Sequence, residues 1–344
     1  SSVNVNVSGI TGTGTIKINL NGSTNIADSV GNGPPASFNS GGTHTVAVPV
    51  APGAPTGATA TAGNAQASIT FAAPASNGGS AISTYNAVAS GGGGQTGYCT
   101  GPTACTITVP GLTNGISYSF NVTATNSAGL TGPAATSNNV TPQGTQTISF
   151  APAASYNFGT TPTLTATSSA GASYPVSFTS TTTGVCTITP TGSLTFVTAG
   201  SCSINADQAG DAATSAAPQV SQTFNVNAVA PGAPTIGTAT AGNAQASVSF
   251  TAPASTGGAA VTYTATSSPG SFTATGSSPI TVPGLINGTA YTFSVTAANS
   301  AGPGSPSAAS NAVTPRASQT ISFTPAASYN FGTTPTLTAT SSAG

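Results

Sequence analysis

Asp207 and Asp211, four residues apart in the run DQAGD, are the only close carboxylates in the chain. Carboxylates at that spacing in a loop can help hold a calcium ion, and they are the candidate metal ligands here. Calcium takes six to eight oxygen ligands, so two carboxylates among neutral oxygens make a thin shell. An ordinary polar turn is the plainer reading. The remaining charged residues are Lys17, Asp28 and Arg316, and His44 is the single histidine. General acid–base catalysis needs a positioned His, Glu, Asp, Lys, Tyr or Cys with a tuned pKa. One histidine, three aspartates and no glutamate supply no such constellation, so neither an enzyme nor a cofactor is expected.

The four cysteines fall as two close pairs, Cys99 with Cys105 and Cys186 with Cys202. That grouping favours two disulfides and an oxidising compartment. Zinc is the poorer reading, because there is one histidine and neither spacing is of the CxxC kind. The glycine run SGGGGQTG at 90–97 lacks the lysine and the strand-to-helix setting of a phosphate loop and reads as a flexible loop. Five N-x-S/T sequons occur, at Asn6, Asn21, Asn121, Asn139 and Asn287; chance accounts for such triplets readily in a chain rich in Thr, Ser and Asn. Lys17 and Asp28 raise an intramolecular Lys–Asn isopeptide crosslink. The rest of the chain holds no lysine, so the bond could not be a general stabiliser, and a solvated pair of charges is the simpler account.

Charged residues make up 1% of the 344, where about 25% is usual. Phosphate binding needs clustered Lys or Arg, which removes nucleic acid as a partner. The same lack argues against an anionic membrane surface, and no membrane-inserting run is visible. A surface kept wet by Thr, Ser, Asn and Gln has little charge repulsion between copies, so association with further copies of the chain is favoured. Disorder would require few aromatic and β-branched residues, yet Val, Ile, Phe and Tyr recur here in alternation.

What must position these residues is a repeat array. Residues 146–171, QTISFAPAASYNFGTTPTLTATSSAG, return at 319–344 with one change, Ala151 to Thr324. A second pair, PGAPTGATATAGNAQASITF from Pro52 and PGAPTIGTATAGNAQASVSF from Pro231, alternates with it. The step from Pro52 to Pro231 is longer by six than the step from Gln146 to Gln319, so the second copy of the proline-led module lacks six residues. The GGGGQTGYCTGPTAC region is where that loss is expected. Five parts follow: 1–49, the end of one module; 50–142; 143–227; 228–315; and 316–344, the beginning of another. Both ends are ragged, and a window on a longer chain is expected.

Residues 50–142 resemble a fibronectin type III domain through PGAPTG, SITF, TITVPGLTNGISYSFNVTATNSAG and the closing SNNVTP. The resemblance implies that Leu112 of the PGL turn packs in the core and that Tyr118 forms a tyrosine corner, its hydroxyl tying down a loop. In 228–315 the same places hold Leu285 and Tyr291, and Phe71 and Phe250 stand where the family usually has a tryptophan. Independently, Tyr118, Phe120, Val122 and Ala124 share one strand parity and Ser119, Asn121 and Thr123 the other, giving one core face and one wet face. Residues 143–227 contain seven short alternating runs separated by Gly, Pro and Ser turns, a β-sandwich pattern. Through NFGTTPTLTATSS and GVCTITPTGSLTFVTAGSCSINADQAGD they look like the Ig-like repeats of large bacterial surface proteins. There Cys186 and Cys202 share parity with Ile188 and Ile204, which points both sulfurs inward.

The expected fold is therefore all-β, tandem Ig-like and fibronectin type III sandwiches joined by short proline-bearing connectors into a rod. The resemblances imply a non-catalytic region of a bacterial extracellular or cell-surface protein that builds a filament, sheath or stalk. Two alternatives stand beside it. One is the stalk of an adhesin whose tip, outside these residues, meets a surface polysaccharide or another cell; the other is a spacer in a secreted polysaccharide-degrading enzyme.

Overall fold

The computed structural model describes residues 14–17 and 43–46 as backbone strands and residues 48–342 continuously. Every regular element described is a β-strand, and no helix among the described residues is long and apolar enough to cross a membrane. The chain divides into two compact units, Ser1–Gln146 with Ala209–Ala216, and Thr147–Gln208 with Ala217–Gly344.

In the first unit, Thr56–Ala62, Gln66–Ala72 and Ile107–Pro110 form a three-stranded sheet in that order. A four-stranded sheet faces it, with Thr96–Thr100, Ile82–Ser90, Ser119–Asn126 and Ala135–Thr136 in order. Alternation explains the two layers: Ile69, Phe71, Ile107 and Val109 enter the core from one sheet, and Tyr85, Ala87, Phe120, Val122 and Ala124 from the other. The Phe71 and Tyr85 rings meet at 4.8 Å between centroids, a spacing at which tilted aromatic pairs attract. Before this sandwich, Gly14–Lys17 pairs antiparallel with Thr43–Val46. The sequence expectations on Asn6, Asn21, Asp28 and the run VNVNVSG lie outside the described residues.

The second unit holds two sandwiches. In the first of them Val220–Asn227 lies between Ser155–Asn157 and Gly200–Asp207, and Ser177–Ser180 closes the sheet. Two antiparallel strand pairs complete it, Ile148–Phe150 with Ala166–Ser168 and Cys186–Ile188 with Leu194–Phe196. Eight strands replace the seven runs read from the sequence. The extra one, Ser155–Asn157, pairs parallel to Val220–Asn227; with three residues and one apolar side chain it carries no alternation to detect. The run TPTLTATS also divides. Thr163 bridges Ser193 and Leu164 donates to Gly192, whereas Ala166–Ser168 pairs with Ile148–Phe150.

The other sandwich repeats the first unit's order. Thr235–Ala241, Gln245–Thr251 and Ile280–Pro283 form one sheet; Thr273–Thr275, Thr262–Ser268, Thr292–Asn299 and Gly302–Pro303 form the other. The placing of the six-residue difference is corrected here. The interval from Tyr263 to Ile280 is shorter by five than that from Tyr85 to Ile107, so five residues are lost from the glycine- and cysteine-bearing region. The sixth is a β-bulge at Ser83: Ile82 pairs with Asn126 and Thr84 with Thr125, while the corresponding register in the second copy runs without a break.

Ile321–Phe323 and Ala339–Ser341 pair antiparallel in the same register as Ile148–Phe150 and Ala166–Ser168. Ile148, Phe150 and Leu164 are buried, and their copies Ile321, Phe323 and Leu337 are exposed.

Candidate functional site

Asp207 and Asp211 both serve loops. At the end of Gly200–Asp207, the Asp207 carboxylate accepts from the Gln219 amide at 2.7 Å. Asp211 accepts the backbone N–H groups of Ala213 and Thr214, each at 2.8 Å, an Asx-type turn. Its carbonyl takes a bond from the Gln143 side chain. The turn it shapes pairs with the chain at Gly144, whose N–H donates to Ala213 and whose carbonyl accepts from Ser215. Among the described residues no three His, Cys, Asp or Glu side chains group as metal ligands. His44 lies on Thr43–Val46 opposite Ile16.

Both disulfides are formed, with Cα–Cα distances of 6.6 Å for Cys99–Cys105 and 5.8 Å for Cys186–Cys202. Cys186 and Cys202 are fully buried, and the Thr182 and Ser180 hydroxyls lie against the Cys186 sulfur. Cys99 and Cys105 are half-buried and pack on the margin of the first core. They therefore extend that core.

Leu112 and Leu285 are buried, as are Tyr118 and Tyr291. The Tyr118 hydroxyl accepts from the Thr113 N–H at 3.0 Å, and that of Tyr291 from the Ile286 N–H at 3.1 Å. The glycine run lies against this corner. A Cβ at Gly92 would lie 2.6 Å from the Tyr118 ring, so only glycine lets the backbone cover it. In the second sandwich Phe272 takes over the cover, edge-on to Tyr291 at 6.1 Å.

Sequence reasoning missed the backbone-bonding role of three asparagines in each of these two sandwiches. Asn138 bonds both backbone groups of Ala60, at 2.8 and 3.1 Å, and Asn311 does the same for Ala239, at 2.8 and 3.0 Å. Asn114 accepts from Ala65, which has a φ of 52°, and Asn287 from Ala244, with a φ of 54°. A non-glycine residue in that left-handed region costs on the order of 1 kcal/mol, which the side-chain bonds help offset. Asn126 donates to the carbonyls of Val50 and Asn77 and accepts from Leu130; Asn299 donates to Val229 and Thr256 and accepts from Ala301. The signal was available, since all three asparagines recur at matching places in the two copies. Of the sequons, Asn121 is exposed and accepts from the Thr136 hydroxyl, and Asn287 is occupied as just described.

The surface hollows beside Tyr263 and Tyr174 have volumes of about 370 and 400 Å³ and no charged lining residue. Burial pushes the Tyr85 phenol above the ordinary value of 10.0. Its hydroxyl points to the Pro102 carbonyl at a long 3.5 Å.

Residues 230–313 match the family model of the fibronectin type III domain. No curated protein matches the chain. Among solved structures, the chain is similar to the FN1–FN3 domains of chicken CNTN1, with 16% identity over 77% of this chain and 99% of that one and a TM-score of 0.26. It is also similar to domains A168–A170 of titin, with 15% identity over 75% and 97% and a TM-score of 0.29.

Proposed function

We propose that this chain is a non-catalytic structural repeat region of a bacterial extracellular protein, whose β-sandwich modules build a surface filament, sheath or stalk. One observation carries the reading. The same asparagine set, bonded inward to the protein's own backbone, recurs in two sandwiches of one chain. Polar side chains that a binding or catalytic site would aim outward are spent here on holding each module's shape.

Further features support it. The two disulfides suit an oxidising compartment. The repeats at 146–171 and 319–344 are nearly identical, as an array of like parts requires. Five charged residues leave little repulsion between copies, so the modules associate with copies of themselves. Electron microscopy of the purified chain across a concentration series tests this. Chain-to-chain contacts that lengthen with concentration support a filament or sheath. Isolated particles at every concentration instead favour a stalk carrying an adhesive tip.

A further inference from the structure

In the second unit, the chain leaves the sandwich of residues 147–227 at Asn227 and enters the following fibronectin-like one at Thr235. The connector alone does not define this joint. Val229 donates to the Gly257 carbonyl at 3.0 Å, and the Val229 carbonyl accepts from half-buried Asn299 at 2.7 Å, so the connector is sewn to the turn at 255–258. That turn also meets the preceding sandwich. The Ala199 N–H donates to the Gly258 carbonyl at 2.7 Å. Gly258 is buried with a φ of 84°, and a Cβ there would lie 2.6 Å from the Phe158 ring and 3.1 Å from the Ala199 nitrogen. Phe158 packs on its own sandwich's core, next to the strand whose Tyr156 ring lies 5.0 Å from that of Phe224.

Two independent constraints therefore fall on one glycine. Its φ disfavours an L side chain, and the space above its Cα is filled by an aromatic ring from another sandwich. Gly79, in the matching turn at 76–79, has the same kind of backbone, with a φ of 80°, but no heavy atom among the described residues lies within 4 Å of its Cβ position.

We propose that the turn carrying Gly257 and Gly258 is a docking surface for the end of an Ig-like sandwich that presents an aromatic ring and a backbone N–H. Phe158 and Ala199 supply these, and they couple residues 147–315 into one body. A ring lying on a bare Cα and a backbone acceptor beside it recognise shape and one donor, which suits a protein with few charges for steering. The inference stands whether or not the array polymerises.

The test uses the whole chain and reads amide hydrogen exchange by NMR. The Ala199 amide should be protected in the wild type. Gly258→Val should raise its exchange about tenfold, the loss of one net hydrogen bond, while the amides of Phe293 and Val295 keep their protection. Gly79→Val adds the same backbone strain in a turn that makes no bond to Ala199 and should leave Ala199 unchanged. Equal effects of the two variants, or an unprotected Ala199 in the wild type, would overturn the proposal. Should Gly258→Val unfold its sandwich, residual dipolar couplings of the wild type decide: one alignment tensor for 147–227 and 228–315 supports coupling, and two independent tensors refute it.

Discussion

Replacing Asn126 by alanine removes more structure than a loop-facing asparagine would suggest. Asn126 is 1% exposed. It donates to the Val50 carbonyl at 2.8 Å and the Asn77 carbonyl at 3.2 Å and accepts from Leu130 at 3.1 Å. At about 1 kcal/mol net for each hydrogen bond, three bonds are worth about 3 kcal/mol. Val50 and Asn77 are themselves exposed and regain water, which lowers the expected loss to about 2 kcal/mol. The effect should be local first: the Val50 and Gly53 amides, bonded to Gly78 and Ser76, should exchange faster before the Phe120 region does. Urea unfolding followed by tyrosine fluorescence gives the free energy, and hydrogen exchange gives the location. Asn299→Ala should match it in the second copy, where the three bonds run from 2.7 to 2.8 Å. Asn126→Asp keeps the acceptor but loses both donations and buries a carboxyl. Desolvation raises the folded pKa of such a group, so the aspartate variant should lose stability as pH rises and recover part of it in acid. A loss below about 0.5 kcal/mol for Asn126→Ala, with unchanged exchange at Val50, would show that these three bonds do not hold the turn.

The disulfides should differ in value. Replacing Cys186 and Cys202 together by alanine opens a bridge of sequence separation 16 and should cost about 3 kcal/mol in urea unfolding, against about 2 kcal/mol for serine at Cys99 and Cys105, whose separation is 6. Tyr118→Phe and Tyr291→Phe each strip the acceptor from a backbone N–H, at Thr113 and Ile286, and each should cost about 1–3 kcal/mol, the penalty of one unmet donor, measured the same way. Tyr85, whose pKa is raised by burial, stabilises the fold fully below its unfolded value of 10.0 and loses that contribution as pH climbs through the folded value. Stability should therefore stay level through neutrality and fall in strong alkali, with Tyr85 among the last phenols to ionise in ultraviolet absorbance.

The strands were legible where apolar residues alternate over six or more positions. Tyr118 to Ala124 and Tyr291 to Ala297 read correctly because each inward side chain is large enough, or regular enough, to mark its parity, and all eight are buried. Cys186 and Cys202 were readable as core residues for the same reason. The parallel strand Ser155–Asn157 was not, because its partner Val220–Asn227 lies at the far end of the same module and leaves no local pattern. Nor was the bulge at Ser83, since a single extra residue in one strand is visible only against its partner. Asn114, Asn126 and Asn138 escaped notice for a different reason. Alone, an asparagine in a turn is indistinguishable from a solvated one. The partners of Asn126 and Asn138, Val50 and Ala60, are remote in the sequence, and only folding brings them within reach.

Sedimentation velocity of the intact chain over a wide concentration range tests the structural, self-associating role most directly. Species larger than a single chain should appear and grow reversibly with concentration. Growth should persist in high salt, because so few charges are present to be screened. One species of monomer mass at every concentration would rule out self-association, and with it the filament and the sheath.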